Sequence, residues 1–189
     1  MTGVVAAGAV ILAVLISPAS NGRPSAATAG DPRLEAEIRR IDPNARLVEP
    51  DDVESRCRSA SPGLVVADFD GDGRLDFAVL LRSGRPRPAR TEDGRQYAKE
   101  EFWFVVLLDV GGRFRRAHLQ RWWGVSSPGR NAIKIMPPGV VDEWAGVEHR
   151  ARRVRLKNPG VVLIYCEAGA AIYYWSPSRK RFIELVTSG

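Results

Sequence analysis

From residue 64 to the C-terminus, short apolar runs alternate with clusters of Gly, Pro and Asp. Runs rich in Val, Ile, Leu and aromatic residues between turn residues are typical of successive β-strands. We place strands over residues 63–67, 76–81, 102–110, 113–120, 132–136, 153–157, 161–167, 170–175 and 181–186. Hairpin-type turns at residues 109–112 and 176–180 imply antiparallel pairing. The sequence therefore predicts a mainly β fold, built as an antiparallel sheet or sandwich.

Two segments interrupt this pattern. Residues 82–100 are polar, basic and rich in Pro, so we interpret them as a long exposed loop and as the first candidate for a mobile or binding segment. Residues 122–129 are interpreted as a second long connection. Neither segment is expected to contribute a strand.

A short helix should precede the strands. Asp31 is a suitable N-cap, and Pro32 suits the first helical position. The Asp-Pro pair at residues 42–43 should end the helix. The apolar face that would pack on the rest of the domain consists of Leu34, Ile38 and Ile41.

The N-terminal segment resembles an export signal. Residues 4–16 form an unbroken apolar run that is shorter than the ~20 residues a spanning helix needs. Ala27 and Ala29 supply the small side chains that a signal peptidase requires. We therefore expect residues 1–29 to be a signal peptide and residues 30–189 to form a single domain that is secreted or periplasmic. Because no Lys or Arg precedes the apolar run, an uncleaved anchor is the alternative.

The chain has two cysteines, Cys57 and Cys166. In an exported chain an even pair predicts a disulfide, and closing so long a loop stabilises a fold by up to about 4–5 kcal/mol in the chain-entropy model. Two buried free thiols are the alternative.

The net charge of +6 arises from 28 basic and 22 acidic residues. The arginines are scattered and lie in no recognition-helix or RNA-binding pattern, so no nucleic-acid partner is expected. We interpret most of them as a solvated surface, and we expect no stable membrane insertion once the signal segment is removed.

An acidic loop at residues 68–76 carries the clearest chemistry in the chain. Counted from Asp68, carboxylates fall at positions 1, 3, 5 and 9, contributed by Asp68, Asp70, Asp72 and Asp76. Gly73 at position 6 permits a sharp turn, and Arg74 at position 7 would offer its backbone carbonyl. Four carboxylates in nine residues repel one another unless a cation binds, and Ca²⁺ is the hard cation that prefers such oxygen ligands.

A helix-loop-helix calcium site requires a Glu at position 12, where this chain has Val79, so that class is excluded. The segment 65–80 instead resembles the calcium loop of FG-GAP and VCBS-type repeats, the blade motif of integrin-like β-propellers. The resemblance implies side-chain ligation by Asp68, Asp70, Asp72 and Asp76, and main-chain ligation by Arg74. The loop occurs once, and propellers need at least four blades of about 40 residues, so a single FG-GAP-like calcium hairpin is expected and a full propeller is not. The alternative is an acidic turn that binds no ion.

Three functional classes remain open, the third being a small inhibitor or immunity-type partner of an exported enzyme. The export segment, the calcium loop and the lack of a Gly-x-Ser-x-Gly motif favour a binding or interaction module with an unknown protein or glycan partner and a structural calcium. The alternative is an exported hydrolase of a cell-wall or surface polymer. Its acidic pair would come from Glu100, Glu101, Asp142, Glu143 and Glu167.

Aromatic residues and histidines complete the candidates. Tyr173 and Trp175 alternate with Tyr174, which is typical of a sheet core, although an aromatic platform for sugars is the alternative. His118 and His149 lie in no known catalytic spacing, and we predict a surface position for both.

Overall fold

The computed structural model describes residues 30–55, 62–126, 129–143, 152–166 and 168–187. The predicted export segment, Cys57, His149 and Glu167 lie outside these residues. The chain is mainly β, with antiparallel sheets and one short α-helix, which confirms the expected fold class. Within the described ranges, no helix combines the length and the apolar character needed to cross a bilayer.

Twelve strands and one α-helix make up the described fold. In chain order they are α1 (Pro32–Ile41), β1 (Arg46–Leu47), β2 (Leu64–Ala67), β3 (Asp76–Arg82), β4 (Arg87–Arg90), β5 (Gln96–Asp109), β6 (Phe114–Val125), β7 (Asn131–Met136), β8 (Gly139–Glu143), β9 (Arg152–Leu156), β10 (Gly160–Tyr165), β11 (Gly169–Ser176) and β12 (Arg181–Thr187). A 3₁₀ turn at Pro50–Asp52 follows β1.

The helix begins and ends where the sequence predicts. The Asp31 carboxylate accepts a hydrogen bond from the Arg33 backbone N–H at 2.8 Å, and Asp42 is the C-cap. Leu34 and Ile38 are buried against the six-stranded sheet. The amphipathic face thus places α1 as an outer layer on that sheet.

The larger sheet has six strands, with β3 and β5 at its centre. One edge of β5 pairs with β3 and, further towards its N-terminus, with β4, while the other edge pairs with β6 along its length. The edge of β3 that faces away from β5 pairs with β1 and β2. Every residue of β3 is buried, because α1 covers one face of the strand and a second sheet covers the other.

The second sheet has four strands in the order β12-β11-β10-β7. Its inner face shares the main core with the larger sheet through residues such as Phe104, Ile133 and Tyr173. The β8–β9 hairpin packs Val154 and Leu156 on its outer face. The described chain therefore forms four layers, namely helix, six-stranded sheet, four-stranded sheet and hairpin.

The sequence interpretation was wrong for both long connections. Strand β4 and the first residues of β5 form a hairpin within the segment 82–100, and β6 continues to Val125. Both faces of this hairpin are largely exposed, so it shows no apolar alternation by which a strand is recognised. Pro88 is compatible with it because β4 is an edge strand. We call residues 84–99 the β-arm.

Candidate metal centre

The acidic loop connects β2 to β3, which pair with each other from Ala67 opposite Asp76 onward. It is therefore a hairpin loop that leaves one strand and enters the next, as the sequence predicts. Gly71 and Gly73 adopt φ angles of +83° and +86°, where a Cβ would be strained. The two glycines allow the backbone to turn back on itself around the first carboxylate.

The carboxylate of Asp68 organises the loop backbone. Its Oδ1 accepts hydrogen bonds from the N–H groups of Gly71 at 2.7 Å and Asp72 at 3.1 Å, and its Oδ2 accepts one from Gly73 at 2.8 Å. Three converging N–H donors fix one carboxylate at the centre of the turn. The loop shape is thus specified by residues within the loop itself.

Three carboxylates converge in this loop. One oxygen from each of Asp68, Asp70 and Asp76 lies within 4.8 Å of the other two. Two oxygens on opposite sides of a Ca²⁺ ion, each at 2.3–2.6 Å, are about 4.6–5.2 Å apart, so the spacing suits one shared ion. The donor set is oxygen only, which fits a hard cation.

Asp76 is the buried member of the group. It is fully buried at the start of β3, where its oxygens accept hydrogen bonds from the backbone N–H groups of Phe69 and Asp109, both at 2.9 Å. It therefore ties the acidic loop to the end of β5. These two bonds position the carboxylate and leave its negative charge without a cationic partner in the described part of the chain.

The environment disfavours full ionisation of the group. Burial raises the pKa of Asp76 to about 6, and the hydrogen bonds from Asp109 and Phe69 only partly offset this. The pKa of Asp70 is also raised, mainly by burial and next by the charge of Asp72. A cation bound between these carboxylates would stabilise their ionised forms.

Asp72 and Arg74 lie outside the convergent group. The guanidinium of Arg74 forms an ion pair with Asp72, and the Arg74 Nε–H donates to the Asp109 carbonyl at 2.9 Å. The Arg74 backbone N–H also donates to Asp72 at 2.9 Å. The structure thus brings together three of the four predicted acidic ligands and pairs the fourth with a cation at the surface.

Sequence reasoning missed the residues that support the loop from outside. The Phe69 ring is fully buried and makes an edge contact with Phe182 of β12, with ring centroids 6.4 Å apart. Asn158, before β10, donates its Nδ2–H to the Phe69 carbonyl at 3.4 Å. A Cβ on Gly71 would lie 2.6 Å from the Asn158 amide nitrogen. An apolar residue between two aspartates was a readable signal for Phe69, whereas Asn158 shows only the composition of a turn.

Three acids of the hydrolase alternative form ion pairs. Glu100 is fully buried and forms an ion pair with Arg82, and Glu101, the next residue along β5, pairs with Arg121. Asp142 of β8 lies 3.3 Å from Arg153. Across the described residues, Asp68, Asp70 and Asp76 are the one group of three or more acidic, His or Cys side chains close enough to hold an ion.

The remaining candidates have separate outcomes. Tyr173 is fully buried, its ring centroid lies 4.8 Å from that of Phe104, and its hydroxyl donates to Gln120 at 2.7 Å, which confirms a core role. The surface prediction for His118 is wrong, because its ring packs against Phe104 and Tyr173 and burial lowers its pKa. Cys166 is buried, but the disulfide to Cys57 stays a prediction because Cys57 lies outside the described residues.

Comparison with known proteins gives no assignment for this arrangement. No protein-family model, no curated protein and no solved structure matches the chain. The FG-GAP resemblance of the acidic loop therefore stays a prediction carried by residues 65–80 alone.

Proposed function

We propose that this chain is an exported calcium-binding β domain, similar to an FG-GAP or VCBS repeat, that acts as a binding or interaction module with one structural Ca²⁺ ion. The observation that carries the proposal is the convergence of the Asp68, Asp70 and Asp76 carboxylates within 4.8 Å of one another, one of them fully buried. A partner protein or glycan would bind the scaffold that the ion stabilises.

The position of the site explains why an ion there would be structural. Asp68 follows β2, Asp76 begins β3, and the Asp76 carboxylate also accepts a hydrogen bond from Asp109 at the end of β5. One cation would therefore join three neighbouring strands at one end of the six-stranded sheet. It would also neutralise the buried charge of Asp76, whose isolation is costly.

Completing the coordination shell requires more oxygens than the three carboxylates provide. The family resemblance supplies Asp72 and the Arg74 carbonyl. Asp72 is held by an exposed ion pair with Arg74, and such surface pairs contribute only about 0–1 kcal/mol. Exchanging that pair for a direct bond to a divalent cation is therefore inexpensive, and water supplies the remaining positions.

The predicted secreted or periplasmic location suits the calcium affinity that is expected of such a site. Extracellular calcium modules bind with dissociation constants of about 0.1–1 mM. At a ligand concentration one to ten times the dissociation constant, binding to the folded state alone stabilises it by about 0.4–1.4 kcal/mol. A secreted or periplasmic domain that meets millimolar calcium would thus be measurably stabilised.

A thermal melt of residues 30–189 with 5 mM CaCl₂ or with chelator tests the proposal. We expect calcium to raise the melting temperature of the wild type by several degrees, since about 1 kcal/mol shifts Tm by 2–4 °C in a domain of this size. Asp70→Asn should abolish the shift, because this half-buried carboxylate belongs to the convergent group.

Asp93→Asn is the matched control. Asp93 is exposed at the tip of the β-arm, so this variant removes an equal charge outside the loop and should keep the full calcium shift. A wild type that does not respond to calcium, or an Asp70→Asn variant that responds equally, contradicts the proposal. Magnesium at the same concentration distinguishes a calcium site from general screening of acidic groups.

A further inference from the structure

One face of the six-stranded sheet continues beyond the helix that covers its middle. On β5, Tyr97 and Lys99 point to the same face as Trp103 and Val105, which pack under α1. Residues directly opposite one another across strands share a face. The exposed continuation consists of Arg87 of β4, Tyr97 and Lys99 of β5, and Leu119, Arg121 and Trp123 of β6. We call these six residues the basic-aromatic face.

Apolar and cationic side chains are interleaved on this face. Trp123 is 44% exposed, Leu119 46% and Tyr97 37%. The guanidinium carbon of Arg87 lies 5.1 Å and the ammonium of Lys99 5.8 Å from the centroid of the Trp123 ring. The indole thus holds two cations beside it, since cations are attracted to the face of an aromatic ring.

The positions of the two cations, Arg87 and Lys99, are electrostatically unfavourable. Arg87 lies directly opposite Lys99 in the β4–β5 ladder, and like charges at such positions are destabilising. Within the described ranges neither side chain has a carboxylate partner, although Arg121 on the same face pairs with Glu101. The β-arm as a whole carries five basic and two acidic side chains. An external anion would relieve this repulsion.

A buried ion network holds the base of the β-arm. Glu100 is fully buried, pairs with Arg82 and accepts a hydrogen bond from the Gly84 backbone N–H at 3.0 Å. Arg82 also pairs with Asp52, which in turn binds Arg46 through two bonds of 2.6 and 2.7 Å. These contacts fix the orientation of the β-arm relative to the sheet, so its cations are positioned before a ligand arrives.

The edge of the β-arm is unsuited to strand addition. Pro88 within β4 and Pro86 just before it lack the N–H donor that an added strand would need. Binding at this place must therefore use side chains. A set of exposed Trp, Tyr and Leu side chains among Arg and Lys is suited to a membrane–water interface, where aromatic rings and basic groups meet lipid headgroups.

We propose that the basic-aromatic face docks this domain onto the surface of an anionic lipid bilayer, without insertion into its hydrocarbon core. A bilayer supplies the two kinds of contact that this face offers, namely negative headgroups for Arg87 and Lys99 and an interfacial layer for Trp123, Tyr97 and Leu119. The proposal goes beyond the calcium-binding function and uses none of the calcium ligands.

Sedimentation with lipid vesicles tests the docking. The full chain is mixed with vesicles of pure phosphatidylcholine or with 30% phosphatidylglycerol, and the ratio of the two partition coefficients is measured at fixed calcium. The apolar N-terminal segment is the same in the wild type and in every variant below, so its own binding does not account for a difference between them. We expect a ratio above 10 at low salt that falls as salt is raised, because headgroup attraction is screened.

Charge reversal locates the contact. Arg87→Glu with Lys99→Glu should lower the ratio at least tenfold, and Arg87→Gln with Lys99→Gln should give an intermediate value. Arg179→Glu with Lys157→Glu makes the same charge change at exposed positions outside the six-stranded sheet and should leave the ratio within twofold of the wild type. Melting temperatures within a few degrees of the wild type show that the variants are folded.

A second measurement addresses the aromatic contact. Anionic vesicles should shift the tryptophan emission of the wild type to shorter wavelength, and Trp123→Phe should remove most of the shift. Equal partition to both vesicle types, or an equal loss in the two charge-reversed variants, overturns the proposal. Binding to poly-glutamate together with failure to bind anionic vesicles also overturns it, and would identify an acidic protein as the partner.

Discussion

The acidic loop and the β-arm are two concentrations of like charge that the chain assembles in different ways. In the loop, the three convergent carboxylates lie within nine residues of sequence, and backbone N–H groups of the same turn position the first of them. In the β-arm, Arg87 and Lys99 meet only because two strands pair, and Trp123 reaches them from a third. Local spacing therefore reveals the first cluster, whereas strand pairing creates the second.

The largest effect on stability is expected from a substitution in the buried ion network that supports the β-arm. Glu100→Gln should leave the buried guanidinium of Arg82 with Asp52 as its remaining ion-pair partner beneath the β-arm, and breaking a buried pair costs up to about 3–5 kcal/mol. Urea unfolding of the variant measures the loss. Glu92→Gln, at an exposed position of the β-arm tip, is the control and should change the free energy of unfolding by less than about 0.5 kcal/mol. A stable Glu100→Gln variant would show that the β-arm needs no ionic support.

The loop should respond to pH in opposite ways with and without calcium. Because the pKa of Asp76 is raised to about 6 in the folded protein, protonation of Asp76 stabilises the calcium-free fold. Its stability should therefore decrease as pH rises from about 4 to 6, by up to about 3 kcal/mol at 1.36 kcal/mol per pKa unit. Calcium binds the ionised form, so the calcium-induced rise in Tm should grow over the same interval. Melts at pH 4.5, 5.5 and 6.5 measure both trends, and a calcium shift independent of pH would contradict the role of Asp76.

Asp76→Asn separates the two roles of this carboxylate. The amide keeps one acceptor oxygen, so one of the two N–H groups of Phe69 and Asp109 loses its partner, at a cost of about 1–3 kcal/mol. The variant should also lose the calcium response and most of the pH dependence between 4 and 6. Calorimetric calcium titration together with urea unfolding tests both effects. Retention of calcium affinity would exclude Asp76 as a ligand.

The smallest effect is expected from substitution of Arg74, the basic residue within the acidic loop. Arg74→Ala removes an exposed ion pair with Asp72, which should change stability by less than about 1 kcal/mol. Because Asp72 is then free to turn towards the ion, calcium affinity should rise slightly. Calcium titration of this variant beside Arg113→Ala, an exposed arginine in the β5–β6 turn, checks the direction. A fall in affinity would show that the guanidinium orders the loop.

The accuracy of the sequence predictions also differs between features set by neighbouring residues and features set by distant contacts. Capping residues and apolar spacing predicted α1, and turn residues predicted the loop between β2 and β3 and the hairpins at residues 109–112 and 176–180. These signals lie within a few residues of one another. The convergence of Asp68, Asp70 and Asp76 was predictable for the same reason.

The parts that were missed depend on distant contacts. Strand β4 exists because it pairs with β5, although its own residues are polar and exposed. The burial of His118 depends on Tyr173 of the other sheet, and Asp109 reaches Asp76 across 33 residues of sequence. Such contacts leave no periodic trace in the chain, so spacing arguments do not detect them.

The contact between Asn158 and the acidic loop determines how far an ion's effect should spread. Asn158 donates to the Phe69 carbonyl, and its side-chain amide nitrogen would lie 2.6 Å from a Cβ on Gly71, while the Phe69 ring packs against Phe182. The loop backbone is therefore clamped between the two sheets. Calcium should increase the cooperativity of the whole domain, so that hydrogen exchange slows in the amides of β10 and β12 as much as in those of β2 and β3.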